Sequence, residues 1–441
     1  MTPLGSCRFV PPYLLRELAR TGTLDPSFVD AHLQVDDSLR ASRGPAVTGA
    51  VPRVGEGRWT VHSAGNTETL PGDPVRSEGD PEVGDPAVDE AAVGITATLD
   101  LFRDVYGRDS FDGAGAEVLL TVHYGRSYAN AFWDGTHLVF GDGDGRVFLR
   151  FTRAVDVLAH EFGHAVTERT AGLVYQGQSG ALNESVSDVF AACLKQWLLG
   201  QDAAGGSWLI GEEIFAEEIN ARGLRDMEHP GTAYDDPRLG SDPQPAHMDD
   251  FVVTADDNGG VHLNSGIPNR AFVIAARAVG GSAAEGAGRI WYRALTSGRL
   301  APDADFAAFA AATVAAAGDH DEAVRAAWAE VGVGAETPST APSPSVPAGA
   351  PAVVVRRSGG ITGQVVERVV DHDADDDRAR EVRELLDRVD LRAAAGGSGL
   401  PQPDRYVYLV RVGDAAPVEL PEASLTGDLR RLVQLVLDAP A

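Results

Sequence analysis

The sequence predicts an α+β protein of more than one domain. Three observations say so. Up to about residue 150, runs such as "AEVLLTVHYG" and "NAFWDGTHLVFGDGDG" are rich in β-formers and break at Gly and Asp, as strands with turns do. From about residue 154 the apolar residues fall at helical spacing. Residues 336–352, "ETPSTAPSPSVPAGAPA", carry almost no charge and no large apolar side chain, so they read as a semi-extended linker to a separate module.

The elements follow in order. Residues 1–55 form a short leading segment with one helix over "PPYLLRELARTG", opened by proline and stopped by glycine. The stretch from about 41 to 90 is rich in Gly, Pro, Asp and Glu and reads as extended or irregular. "DEAAVGITATLDLFRDVYG" has helical periodicity, and "VFLRFT" reads as a further strand. A first lobe, 56–165, should end in the helix that begins near 154. A second, mainly helical lobe should span 166–335, loop-rich between 201 and 262 and Ala-rich from 265 to 330. In the last module, 353–441, "AVVVRRSGG", "ITGQVVERVV" and "RYVYLVRVG" read as strands, "DRAREVRELLDRV" and "SLTGDLRRLVQLVLD" as helices.

A net charge of -28 over 441 residues repels nucleic acid and anionic membranes, so neither is an expected partner. The run "FAAFAAATVAAAG", flanked by Asp305 and Asp319, is too short to span a bilayer and reads as a core helix. Prolines and charges interrupt the N-terminal stretch, so no classical signal peptide is read there. The expected location is cytoplasmic, or outside the cell by an unconventional route. Two cysteines, Cys7 and Cys193, make no disulfide framework.

The chemistry concentrates in "VLAHEFGHAV", Val157–Val166. Histidines four apart lie one turn apart on one helix face, so His160 and His164 can converge on one Zn²⁺ at about 2.0–2.1 Å. Glu161 sits beside them, close enough to hold the attacking water. A catalytic zinc wants three protein ligands and an open position, so the third must be a carboxylate or another His elsewhere. "GALNESVSD" offers Glu184 and Asp188 at helical spacing. Glu184 is the better ligand, and Asp188 suits the other ring N–H of His160. Two buried histidines and a buried glutamate are costly in an apolar helix unless a metal satisfies them.

With these segments the chain resembles the thermolysin family of metallopeptidases. The matching stretches include "NAFWDGTHLVFGDGDG", "DVLAHEFGHAVTERTAGLVYQGQSGALNESVSD", "IGEEI", "LRDM" and "DDNGGVHLNSGIPNRAF", in order. The resemblance implies a two-lobed catalytic unit, one catalytic zinc on His160, His164 and Glu184, and Glu161 as general base. It implies that His262, assisted by Tyr175 and oriented by Asp257, stabilises the oxyanion. Arg225, Asn130 and Ala131 would hold the substrate main chain. Leu224 and Val157 suit an apolar specificity pocket, and cleavage is expected on the amino side of bulky apolar residues of protein or peptide substrates.

Three departures from the family carry further expectations. Asp156 matches one acid of the paired calcium site, but Lys195 stands where a glutamate is expected, and Ser207 and Leu209 where acids would sit. The paired site is expected to be absent, with Ca²⁺ elsewhere left open. "RFVPPYLLRELA" resembles the short propeptide of the protealysin-like branch, an intramolecular inhibitor released by a cut between about residues 40 and 58. Cys7 beside it is preferred as a thiol without a role over a thiolate that caps the zinc. The C-terminal module resembles emfourin, an inhibitor of protealysin-like peptidases. Tethered by its linker it would act at high local concentration. "DHDADDDRAREVRELL" spaces its acids like a calcium loop, but Arg378 stands where that loop needs Gly, so an acidic loop leading into a helix is preferred.

The reading is therefore a zinc endopeptidase made as a latent precursor. The alternative is a catalytically silent chain that acts through its C-terminal domain as an inhibitor or binding protein. A zinc aminopeptidase is disfavoured because no amino-anchoring "GxMEN" motif is present.

Overall fold

A computed structural model describes residues 8–30, 33, 57–334, and from 352 to 437 the stretches 352–359, 366–371, 374, 377–386, 388–389, 406–412, 418–421, 425 and 427–437. It divides into two compact units, Met1–Thr337 and Pro338–Ala441. Cys7, most of the 40–58 stretch, nearly all of the 336–352 linker, Asp373 and Asp375 lie outside the described residues.

In the first unit, helix α1 (Pro12–Arg20) starts on the Pro11–Pro12 pair and buries Leu14, Leu15 and Leu18. A five-stranded sheet follows, built from β1 (Trp59–Ser63), β2 (Asp73–Ser77), β3 (Val118–Val122), β4 (Ala131–Trp133) and β5 (His137–Phe140) in the order β2-β1-β3-β5-β4. β1, β3 and β5 run parallel, and the outer strands β2 and β4 run antiparallel to their neighbours. The crossover from β2 to β3 is helix α2 (Pro86–Tyr106), capped by Asp85 and closed by Gly107 at φ 67°. β4 and β5 join through "DGT", where Asp134 Oδ1 accepts the main-chain N–H groups of Thr136 and His137. β4 is therefore an edge strand, and one side of it is open to another chain segment.

Helix α3 (Val155–Arg169) is buried continuously from Asp156 to Thr167, which makes it a central helix with no solvent face. Against it packs α4 (Gly177–Leu198). The helical pattern from 154 to 200 is thus two helices, broken at residues 170–176. "VFLRFT" is not a strand. Phe148 makes a single bridge to Phe215, and Phe151–Arg153 form a 3-10 turn; its aromatic side chains are buried by packing rather than in a ladder. Downstream lie α5 (Asp257–Asn264), α6 (Gly266–Val279), α7 (Arg289–Leu295), α8 (Phe306–Ala316) and α9 (Asp321–Glu330), closed around a stacked pair, Trp291 and Trp328. One hydrophobic core runs from Phe9 and α1 through the sheet lobe to these helices.

The second unit is a four-stranded antiparallel sheet. Its strands are β6 (Ala352–Gly359), β7 (Val366–Asp371), β8 (Tyr406–Val412) and β9 (Val418–Pro421), in the order β7-β6-β8-β9. Among the described residues, helices α10 (Asp377–Leu386) and α11 (Gly427–Leu437) accompany it. Val353, Val355, Val410, Leu420, Leu432 and Val436 form part of its own core. Strand β9 has no counterpart in the sequence reading. Arg378 lies in the first turn of α10, as the acidic-loop-and-helix reading requires.

Candidate active site

The site is assembled where α3 crosses α4. Gly163 makes the close approach, because a Cβ there would lie 2.9 Å from the Ser187 Cα. His160 and His164 leave α3 on one face, and Glu184 meets them from α4 at 3.5 Å from each. Their ligand atoms all lie within 4.8 Å of one another, and all three side chains are buried. His160 Nδ1 pairs with Asp188 Oδ1 at 2.8 Å, and His164 Nδ1 pairs with Asn183 Oδ1 at 2.8 Å. Each Nδ1 thus donates to an oxygen, and the two Nε2 atoms face each other at 3.0 Å. With both rings neutral, as metal ligation requires, two lone pairs at that separation lie beside a Glu184 Oε2 that has no hydrogen-bond partner among the described residues, and a cation would satisfy all three. The donor set fits zinc: two imidazoles, one carboxylate, and outer partners that fix both rings.

Glu161 is fully buried, and no side-chain hydrogen bond satisfies its carboxylate among the described residues. Burial pushes it up to about 8 with the metal absent. Burial also pulls His164 down, to about 3, whereas for His160 it is overcome by Asp188 and Glu184, which raise that ring to about 9.

His262 enters from α5 because "DNGG" reverses the chain. Asp257, Asn258, Gly259 and Gly260 all have positive φ, between 52° and 82°. The reversal turns Asp257 back onto His262, with Oδ2 accepting its main-chain N–H at 2.9 Å and Oδ1 its Nδ1–H at 2.6 Å. Burial opposes charge on His262, but Asp257 and Glu184 raise its pKa. Tyr175 O–H donates to Glu184 Oε1 and lies 3.2 Å from His262 Nε2.

A segment of this chain lies across these groups. The Arg8 carbonyl accepts from His262 Nε2 at 2.7 Å. Phe9 donates its N–H to the Ala131 carbonyl on edge strand β4 at 3.0 Å, and its own carbonyl accepts from Arg225 Nη1 at 3.1 Å. Val10 is held on both sides by Asn130, N–H to Oδ1 at 2.8 Å and carbonyl from Nδ2 at 3.1 Å. The Phe9 ring is buried edge-on to His160, with the Arg225 guanidinium 4.8 Å from its centre. A Cβ on Gly211 would meet both the Phe9 ring at 3.1 Å and Leu224 Cβ at 3.2 Å, so Leu224 borders the space that Phe9 fills. Val157 is buried near the start of α3.

The candidate ligands, Glu161, Asp188, Tyr175, Asp257, His262, Arg225, Asn130, Ala131 and Leu224 therefore lie in this one region, whereas for Val157 the structure gives only its burial. The sequence reading missed Asn183, Ser187 Oγ at 3.1 Å from His164 Nδ1, and Asn269, whose Nδ2 donates to Asp188 Oδ2 at 2.8 Å. The available signal was polar residues inside otherwise apolar helical runs. Away from the site, Lys195 Nζ sits 2.6 Å from Glu212 Oε2 and 3.5 Å from Asp156 Oδ2, and donates to the Leu209 carbonyl.

Comparison with known proteins gives the class. Residues 60–168 match the thermolysin metallopeptidase catalytic domain, and 171–333 match the thermolysin metallopeptidase alpha-helical domain. The chain belongs to the thermolysin family and is a zinc endopeptidase. Residues 355–437 match the emfourin family. Among individual proteins, an extracellular metalloprotease of Pectobacterium carotovorum subsp. carotovorum is 49% identical over 335 residues, covering 74% of this chain and 96% of that one. Protease PrtS of a Photorhabdus species (strain Az29) is 44% identical over 344 residues, covering 74% and 91%. The solved precursor of protealysin, a metalloproteinase from Serratia proteamaculans, superposes with a TM-score of 0.66 at 47% identity, covering 74% of this chain and 99% of that one.

Proposed function

We propose that the chain is a latent zinc endopeptidase that cuts on the amino side of bulky apolar residues, with inhibitory segments at both ends. The convergence of His160, His164 and Glu184 beside a buried Glu161 carries this reading. Zinc held by the three ligands supplies a Lewis acid for the scissile carbonyl and the attacking water. Glu161 takes the water proton and delivers it to the leaving amine. His262, held by Asp257, and Tyr175 donate hydrogen bonds to the oxygen on which charge develops. Arg225, Asn130 and the Ala131 carbonyl fix the substrate main chain. Leu224 borders the side-chain pocket, and the Phe9 ring supports an apolar preference there. Asp188 fixes His160.

The Arg8–Val10 segment supports an inhibitory propeptide, since it takes up the groups a substrate would need. The emfourin match supports a second, tethered inhibitor. For calcium, the Lys195 ammonium among Asp156, Glu212 and the Leu209 carbonyl supports absence of the paired site. Among the described residues no helix is long and apolar enough to cross a membrane. Of the two locations the sequence allows, the relative named an extracellular metalloprotease favours export.

The test is hydrolysis of an unstructured protein such as casein by the zinc-loaded chain after self-processing, with and without residues 338–441. Wild type should be active and Glu161→Gln at least ~10³-fold slower. Deletion should raise the activity. Equal rates in wild type and Glu161→Gln would sink the catalytic reading. Equal rates with and without 338–441 would sink the second inhibitor alone.

A further inference from the structure

We propose that the Arg8–Phe9 peptide bond is itself a substrate: the zinc-loaded chain cuts it, and the cut leaves the cleft still blocked. This rests on the peptidase reading above and names a bond within the chain that the catalytic groups address.

The register carries the inference. A peptidase that cuts before a bulky apolar residue puts that residue in its side-chain pocket and the preceding carbonyl on its oxyanion donors. Here Phe9 is the buried aromatic, with its ring against His160 and beside Gly211. The preceding carbonyl, that of Arg8, is on His262 Nε2 at 2.7 Å. The amide between them points its N–H at the Ala131 carbonyl. The next two main-chain carbonyls and one N–H are taken by Arg225 and Asn130. A one-residue slip would put a different carbonyl on His262 and move Phe9 out of its pocket. The segment runs alongside an edge strand in one register, as an extended substrate does.

The step balances without any further reactant. One water adds across the Arg8–Phe9 bond. Its oxygen joins the Arg8 carbonyl carbon, the C–N bond breaks, and a proton passes through Glu161 to the Phe9 nitrogen. The second water proton follows the first, and the products are a carboxylate on Arg8 and an ammonium group on Phe9.

The cut should not open the cleft. Phe9 and Val10 run directly into Pro11, Pro12 and α1, whose Leu14, Leu15 and Leu18 are buried in the core. Removing residues 1–8 leaves all of those anchors in place. The nicked chain keeps Phe9 in the pocket and stays latent until a second cut, downstream of α1, frees the helix.

The experiment uses the full chain purified without zinc, then loaded with zinc and followed by intact mass and N-terminal labelling. Wild type and Phe9→Leu should both lose residues 1–8 and show position 9 as the new terminus. Glu161→Gln should stay whole, and Phe9→Asp should cut there at least about tenfold more slowly. A chain that cuts itself elsewhere, or hydrolyses added casein, while Arg8–Phe9 stays whole overturns this proposal and leaves the peptidase reading standing. A chain that cuts nothing overturns both. A zinc-free readout tests the register separately. Trypsin, which cuts after arginine, should spare Arg8–Phe9 in chelated wild type and cut it at least about tenfold faster in Phe9→Asp; ready cutting in wild type overturns the placement.

Discussion

Asp188 and Arg225 form a fully buried two-point ion pair, 2.8 Å from Oδ2 to Nε and 2.7 Å from Oδ1 to Nη2. The same Oδ1 receives the Nδ1–H of His160 at 2.8 Å. One carboxylate thus orients His160 and the guanidinium that holds the Phe9 carbonyl. Burial opposes its charge, but Arg225 holds its pKa down, to about 2. Asp188→Asn should weaken zinc binding about 10–100-fold by competition titration. It should also destabilise the fold by about 3–5 kcal/mol, because Arg225 is left without its counter-ion. An unchanged zinc affinity would show that His160 does not need this anchor.

Gly163 fixes the distance between the two ligand-bearing helices. In Gly163→Ala the new methyl meets the Ser187 Cα at 2.9 Å, main chain that cannot swing away as the Ser187 hydroxyl could. The helices must part, at a cost of about 1–3 kcal/mol. Thermal unfolding and zinc titration should both register the change, and a variant with wild-type stability and affinity would contradict the close-packed crossing.

Lys195 supplies the positive charge that Asp156 and Glu212 require. Calcium at millimolar level, or its removal with a calcium-selective chelator, should leave the melting temperature of wild type unmoved. Lys195→Met should lose about 1–3 kcal/mol, because the buried Asp156 is left without its ion-pair partner. A rise of several degrees on adding calcium to wild type that Asp156→Asn abolishes would refute the protein-borne cation.

His123 is a pH-dependent strut between two loops. Its Nδ1 lies 2.8 Å from Asp142 and its Nε2 3.0 Å from Asp85, the residue that caps α2. The hydrogen bond to Asp142 leads, against the opposing effect of burial, in raising the imidazole to about 9. The folded value exceeds the unfolded one, about 6.5. Its stabilisation is therefore full below about pH 6.5 and lost as pH rises through 9. Water reaches both aspartates, so about 1–2 kcal/mol is expected. Melting curves of wild type and His123→Asn should differ by that amount at pH 6 and converge near pH 10.

The zinc ligands were legible because helical repeats encode them: His160 and His164 differ by one turn, and "NESVSD" repeats the device on the next helix. Asp257 and His262 were legible only through resemblance, since four residues of positive φ set their contact. That Lys195 neighbours Asp156 was legible only through resemblance, and neither its pairing with Glu212 nor the His123 pair was legible, because each joins residues that no local period relates. "VFLRFT" failed because its apolar side chains satisfy a strand pattern and a packed turn alike. Strand β9 has only four residues and an edge position, which leaves too few alternations to read.

The separations between partners also set an order of assembly. His160 and Glu184 are 24 positions apart along the chain, and adjacent helices carry them. The contacts that occupy the cleft join residues 120 positions apart for Val10 and Asn130, and 254 for Arg8 and His262. Closing the longest of these loops costs about 2 kcal/mol more entropy than closing the helical hairpin. The cradle closes the smaller loop, so it is expected to form on the helical hairpin before the cleft contacts do. Residues 8–10 precede the cradle in the chain, yet they are then among the last to find their place.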